Sequence, residues 1–142
     1  MTATGIEVGD LQPKEAELLF GLAKSAFETM PGWTDARVLS ALEEDVVFVA
    51  REGGVQAGYV ALAWNAGEGL VIEQLLVAPG HEHRGVGRRL LAHAEGYAIA
   101  AGAPVLLIVA ETDNHAARGF YQRAGFVPVA RELFELVLPR RT

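Results

Sequence analysis

Leu75-Leu76-Val77-Ala78-Pro79-Gly80-His81-Glu82-His83-Arg84-Gly85-Val86-Gly87-Arg88-Arg89-Leu90-Leu91 is the stretch on which the reading of this chain turns. An apolar run reaches Ala78 and stops at Pro79-Gly80, a polar loop follows, and Gly85 and Gly87 open a segment of different period. Leu90, Leu91, Ala94, Tyr97, Ala98 and Ala101 lie on one face of a helix from about Gly85 to Ala101, stopped by Gly102. The order is therefore strand, loop, helix. A helix N-terminus leaves backbone N–H groups unpaired and carries partial positive charge. Glycines let a phosphate come close to those amides. Arg84, Arg88 and Arg89 add cationic side chains near the same end, a combination that favours a pyrophosphate. A P-loop requires Lys and then Ser or Thr after its last glycine, where Arg88-Arg89 stand. The dinucleotide fingerprint requires a third glycine where Leu90 stands. Glycines that serve only helix packing remain the alternative.

The flanking sequence supplies the rest of a fold. Upstream, Gly5–Val8 reads as a short strand. Ala16, Leu19, Phe20, Ala23 and Phe27 mark a helix from Pro13 to about Thr29, broken at Met30-Pro31-Gly32-Trp33. Thr34 or Asp35 caps a second helix to about Glu43. Val46–Arg51 and Ala57–Trp64 form strands around a Glu52-Gly53-Gly54 turn, and Leu70–Val77 is the fourth strand. Downstream, Val105–Ala110 is a continuous apolar run, as expected of a fifth strand covered on both faces. Ala117, Phe120, Tyr121 and Ala124 mark a helix ended by Gly125, and two strands follow near Phe126–Val129 and Leu133–Leu138. This order predicts a mixed α/β fold with helices packed on a central sheet, in a single domain over residues 1–142.

Composition bounds the function. With 142 residues, 51% of them hydrophobic, the chain can bury roughly two-thirds of its unfolded surface without staples. Zero cysteines exclude a disulfide framework, a thiolate zinc site and a cysteine nucleophile. No apolar run is long enough for a bilayer, and Met1–Asp10 lacks the basic start of a secretory signal, so a cytoplasmic protein with no membrane partner is expected. The net charge is −6, and no basic stripe offers a nucleic-acid surface. The charge is lopsided. Residues 1–75 carry 4 basic and 12 acidic side chains, residues 76–142 carry 8 and 6. An anionic ligand suits the second half and a cationic one the first.

Two separated patterns together resemble the GNAT superfamily of N-acetyltransferases. Its motif A runs Leu-x-Val-x-Pro, then Gln/Arg-x-x-Gly-x-Gly/Ala, then a helix with a Leu-Leu pair. Here those are Leu75-Leu76-Val77-Ala78-Pro79, Glu82-His83-Arg84-Gly85-Val86-Gly87 and Leu90-Leu91. A second signature matches Asn114-His115-Ala116-Ala117, Tyr121 and Gly125-Phe126. The resemblance covers nearly the full chain, with one departure. Glu82 stands where the family has Gln or Arg, and an acidic side chain is unfavourable beside a pyrophosphate unless it points away.

The resemblance implies a central, mostly antiparallel sheet splayed between strands four and five, and acetyl transfer from acetyl-CoA to a primary amine by direct attack in a ternary complex. It places the coenzyme on Leu75, Val77, Glu82, His83, Arg84, Gly85, Val86, Gly87, Arg88, Asn114 and Tyr121. Such an aminolysis needs a held pantetheine arm, a donor at the developing oxyanion, a base for the amine and an acid for the leaving thiolate. Backbone near Leu75 and Val77 is implied for the arm, and an N–H near Leu75 for the oxyanion. Tyr121 is implied as the acid, although its helix face also suits a core aromatic. Asn114 can cap its helix as well as meet coenzyme or water. Glu73 shares a strand face with Leu75 and Val77 and is the candidate base, or else an ordinary surface carboxylate; Val71 fills another recurrent place for that base, and Glu111 is weaker. His81 and His83 supply two metal ligands without a third, so no metal is expected.

On the acceptor side, Trp33 in the Met30–Asp35 connection could cover a substrate or simply cap the core. Val109 stands where superfamily members that acetylate ribosomal-protein N-termini usually have Glu, which favours a small amine over a protein N-terminus. A homodimer is expected by analogy alone. The competing expectation is a non-catalytic acyl-CoA-binding regulatory or interaction module of the same fold.

Overall fold

A computed structural model describes residues 5–27, 34–65, 69–110, 112 and 114–139. The elements run β1 (Ile6–Asp10), a single 3-10 turn (Pro13–Glu15), α1 (Ala16–Phe27), α2 (Asp35–Glu44), β2 (Val46–Glu52), β3 (Val55–Asn65), β4 (Gly69–Val77), α3 (Val86–Ala100), β5 (Val105–Val109), α4 (His115–Arg123), β6 (Val127–Pro128) and β7 (Leu133–Val137). The expected elements are all present, with no end displaced by more than three residues. β1 extends to Asp10 because it pairs antiparallel with β2 from Ile6↔Glu52 to Asp10↔Phe48. The first helix tightens at its start into the 3-10 turn, where the Gln12 amide donates to the Glu15 carboxylate at 2.9 Å. Thr34 caps α2, its hydroxyl accepting from the Arg37 amide at 3.1 Å.

The sheet has seven strands in the order β1-β2-β3-β4-β5-β7-β6. β4 and β5 are parallel, and a parallel pair requires a crossover; α3 provides it. Their register covers only Leu70–Ile72 against Leu106–Ile108, leaving Glu73 to Val77 of β4 beyond it. That limited pairing agrees with the expected splay. β5 pairs antiparallel with β7 from Val105↔Val137 to Val109↔Leu133, and β6 pairs antiparallel with β7.

The chain groups into two compact units. One comprises the described residues of Met1–Ala61 with Gln74–His93. Its core gathers Leu19, Ala23, Val38, Leu42, Val47, Val49, Tyr59, Ala61 and Leu76. The helix periodicity and the strand alternation converge on these positions, and burial of the leucines and valines among them contributes about 1.5–3 kcal/mol each. The other unit comprises the described residues of Leu62–Glu73 with Ala94–Thr142. There Tyr121 of α4 packs among Phe120, Phe126 and Phe134, with ring centroids 5.7, 6.1 and 6.3 Å away.

Candidate active site

The anion turn is built from the end of β4. Past the strand, the Ala78 amide still donates to the Ala57 carbonyl at 2.8 Å, keeping the chain on β3. The His81 amide then donates to the Ala78 carbonyl at 3.0 Å, closing a turn. Gly85 has φ +88°, and a Cβ there would touch nothing within 4 Å. Glycine is therefore required by the backbone angle and not by crowding. The Arg89 amide is the one that bonds back to the Gly85 carbonyl, at 3.0 Å. The amides of Val86, Gly87 and Arg88 precede it and have no acceptor within the helix. Val86, Leu90 and Leu91 are buried and fix the helix start. Three successive amides with the positive end of a helix dipole fit a pyrophosphate.

The side chains around this turn are placed differently from the simple expectation of a cationic ring. Glu82 folds back onto its own loop, with Oε1 accepting from the Gly80 amide at 2.8 Å. Its own amide and that of Gly80 hold its carboxyl below the usual range, so this acidic departure is turned to a structural bond. Arg84 donates to Glu52 at 3.2 Å. Arg89 donates to the Ile6 carbonyl at 2.9 Å. All three arginines are exposed, and Arg88 is the one of them with neither a hydrogen bond nor an ion pair from its side chain to another described residue. His83 is exposed and stands at φ +62°.

On β4, Leu75 and Val77 are half-buried and Glu73 is exposed, all at alternate positions on one strand face. The opposite face carries Leu76 and Gln74, and Gln74 accepts from the Tyr59 hydroxyl at 2.5 Å. A Cβ on Gly58 would stand 2.3 Å from the Leu76 carbonyl oxygen. The backbone of β4 thus comes so close to Gly58 of β3 that no side chain fits there.

In the other unit, Asn114 caps α4, its Oδ1 accepting from the Ala117 amide at 3.2 Å. The helix ends where Gly125 was expected to stop it, with the Phe126 amide donating to the Tyr121 carbonyl at 3.0 Å. Tyr121 is 9% exposed, and burial pushes its phenol above the ordinary value of 10.0. Its hydroxyl bonds to no described residue, and it is not among the oxygen atoms sealed from solvent without a partner. The ring is thus part of the core, as its helix face allows, and its hydroxyl is left without a bond to another described residue. Arg118, one turn before Tyr121, donates to the carbonyls of Ala110 and Arg131, both at 3.1 Å, and lies 4.9 Å over the Phe134 ring.

Other expected candidates separate. Trp33 and Glu111 lie outside the described residues, as does the connection Met30–Gly32. His115 is exposed on the first turn of α4. His93 is half-buried with its ring 4.4 Å from that of Phe48. Among the described residues no three His, Cys, Asp or Glu side chains converge as metal ligands, and no helix is long and apolar enough to cross a membrane. Sequence reasoning did not find Glu52, Gln74 or Arg118. Each acts through contacts with residues 8 to 32 positions away in the chain, and nothing local marks such a residue.

Comparison with known proteins agrees with the fold and shows the family. Residues 16–126 match the model of the acetyltransferase (GNAT) family. The L-amino acid N-acyltransferase MnaT of Escherichia coli (strain K12) is 32% identical over 103 residues, 70% of this chain and 58% of that protein. Streptothricin acetyltransferase of Streptomyces lavendulae is 38% identical over 81 residues, 56% of this chain and 42% of that protein. The matched part of this chain thus spans about half the length of these two relatives. In fold, a GNAT-family acetyltransferase from Brucella melitensis, crystallised with acetyl-CoA, superposes with a TM-score of 0.75 at 18% identity, over 96% of this chain and 91% of that one. With the family match extending over most of the sequence, the chain belongs to the GNAT family of acetyltransferases.

Proposed function

We propose that the protein is an N-acetyltransferase that carries acetyl from acetyl-CoA to a primary amine, small rather than a protein N-terminus, in one domain over residues 1–142. The observation that carries this reading is the turn at Gly85, which bares the amides of Val86, Gly87 and Arg88 at the head of α3. These amides would hold the diphosphate of the coenzyme, with the exposed Arg88 adding charge. Acetyl-CoA supplies an acyl thioester when bound. The backbone beside Leu75 and Val77, beyond the register that pairs β4 with β5, would bond the pantetheine amides and present a donor to the carbonyl oxygen. Tyr121 would donate its phenolic proton to the departing sulfur, for which its raised pKa keeps it protonated at neutral pH. Glu73 would take a proton from the amine, directly or through water. Asn114 holds the start of α4 by its cap.

A small amine is supported by Val109 in place of a carboxylate and by the acceptor class in the name of one relative, an L-amino acid N-acyltransferase. Incubation with acetyl-CoA and a panel of amines tests the reading. Release of free thiol that depends on the amine is the expected result. Coenzyme binding without turnover on any amine would make the protein a binding module, and absence of both would remove the assignment.

A further inference from the structure

We propose that Glu52 is a positioning residue for the anion turn, holding the 80–85 loop in the shape that bares the amides of α3. This inference rests on the reading that the turn takes the coenzyme diphosphate. Glu52 ends β2 and divides its carboxylate between two partners. One oxygen lies 2.7 Å from His81 Nδ1, and the other accepts from Arg84 Nη1 at 3.2 Å. Those partners bracket His83, which stands at φ +62° and among the described residues is the one non-glycine with positive φ. That left-handed angle is unfavourable for an L-residue. Anchors on both sides of it oblige the loop to adopt it.

The base of the clamp is itself fixed. Glu52 is the register partner of Ile6 in β1, and the Gly53 amide donates to the Gly5 carbonyl at 3.1 Å. The Ile6 carbonyl in turn accepts from Arg89 at 2.9 Å. One strand-pair end thus grips the loop before the turn through Glu52 and the helix after it through Ile6. The amides of Val86, Gly87 and Arg88 lie between the two grips. Preorganised donors of this kind bind without an ordering cost at the moment of association. The arrangement also explains why Arg84 faces Glu52 instead of the anion: its role is to fix the loop.

The test compares the full-length wild type with Glu52→Gln, Glu52→Ala and His81→Gln. CoA affinity is measured by calorimetry, turnover by thiol release, and amide hydrogen exchange without ligand at His81 and Arg89, whose amides bond the Ala78 and Gly85 carbonyls on either side of the loop. Glu52→Ala should weaken CoA binding and raise the KM for acetyl-CoA by about tenfold while kcat at saturation stays within about twofold. Exchange of those two amides should quicken by a similar factor. Glu52→Gln, which retains an acceptor for Arg84, should recover most of the affinity. His81→Gln leaves the Arg84 bond intact and reads the clamp even if Glu52→Ala does not fold; about threefold weaker CoA binding is expected. Unchanged or tighter CoA binding in Glu52→Ala, beside a wild type that binds CoA, would overturn the clamp alone. A wild type that does not bind CoA would remove the functional reading and the clamp with it.

Discussion

Replacing Tyr121 with Phe removes one oxygen atom from the centre of the proposed chemistry and almost nothing from the fold. The ring contacts with Phe120, Phe126 and Phe134 at 5.7 to 6.3 Å are those of the aromatic carbons and survive the change. The hydroxyl bonds to no described residue, so its loss leaves no orphaned partner. The expected change in unfolding free energy is therefore within about 0.5 kcal/mol. Catalysis should respond differently. Loss of a positioned proton donor costs about 10²–10⁴ in rate, roughly 3–5 kcal/mol of barrier. The assay is thiol release at saturating acetyl-CoA with the best amine, beside urea unfolding of both proteins. Because burial raises the phenol pKa above its ordinary value, Tyr121 stays protonated through neutral pH and introduces no fall in wild-type activity there. A variant that keeps activity within about threefold would refute the role and leave Tyr121 as a core aromatic.

Further outcomes follow from local geometry. Gly58→Ala brings a Cβ to 2.3 Å from the Leu76 carbonyl, a backbone atom that cannot swing aside, and should cost about 1–3 kcal/mol in denaturant unfolding. Gly85→Ala meets no atom but must hold φ +88°, so it should lose about 1–2 kcal/mol and weaken CoA binding, read by calorimetry. Glu15 is held at about 2 against an ordinary 4.5, chiefly by its hydrogen bond from Arg51 and further by the Gln12 amide. Its stabilisation is complete above pH 4.5 and is lost as pH falls towards 2; with solvent reaching the pair it amounts to about 2 kcal/mol, and Glu15→Gln should flatten that acid limb of a stability–pH curve.

Much of this was legible before any coordinates. The 3.6-residue spacing of Leu90, Leu91, Ala94 and Ala98 and the apolar run Val105–Ala110 located α3 and β5, because a side chain's face is set by its place in the chain. Asn114 was also readable, since a helix cap is a requirement of its own backbone; Gly85 was readable as the opening of α3, while the left-handed angle that demands glycine there came from the structure. The fate of the charged side chains was not. Glu82, Arg84 and Arg89 cluster in sequence, yet one bonds its own loop, one Glu52 and one Ile6. A long flexible side chain can reach in any direction, and its partner is chosen by a fold that only distant pairing assembles. The same holds for Gly58, whose need is a carbonyl 18 positions away. Glu73 falls between these cases, its strand face readable and its role dependent on an acceptor.

The central claim is that the bared amides at the head of α3 grip a diphosphate. Titration of CoA into 15N-labelled protein, with the backbone resonances of residues 85–88 assigned, tests it at the atoms concerned. The account predicts saturable downfield shifts of the Val86, Gly87 and Arg88 amide protons, larger than those of the rest of α3. Resonances in that turn that stay fixed at saturating CoA would contradict it.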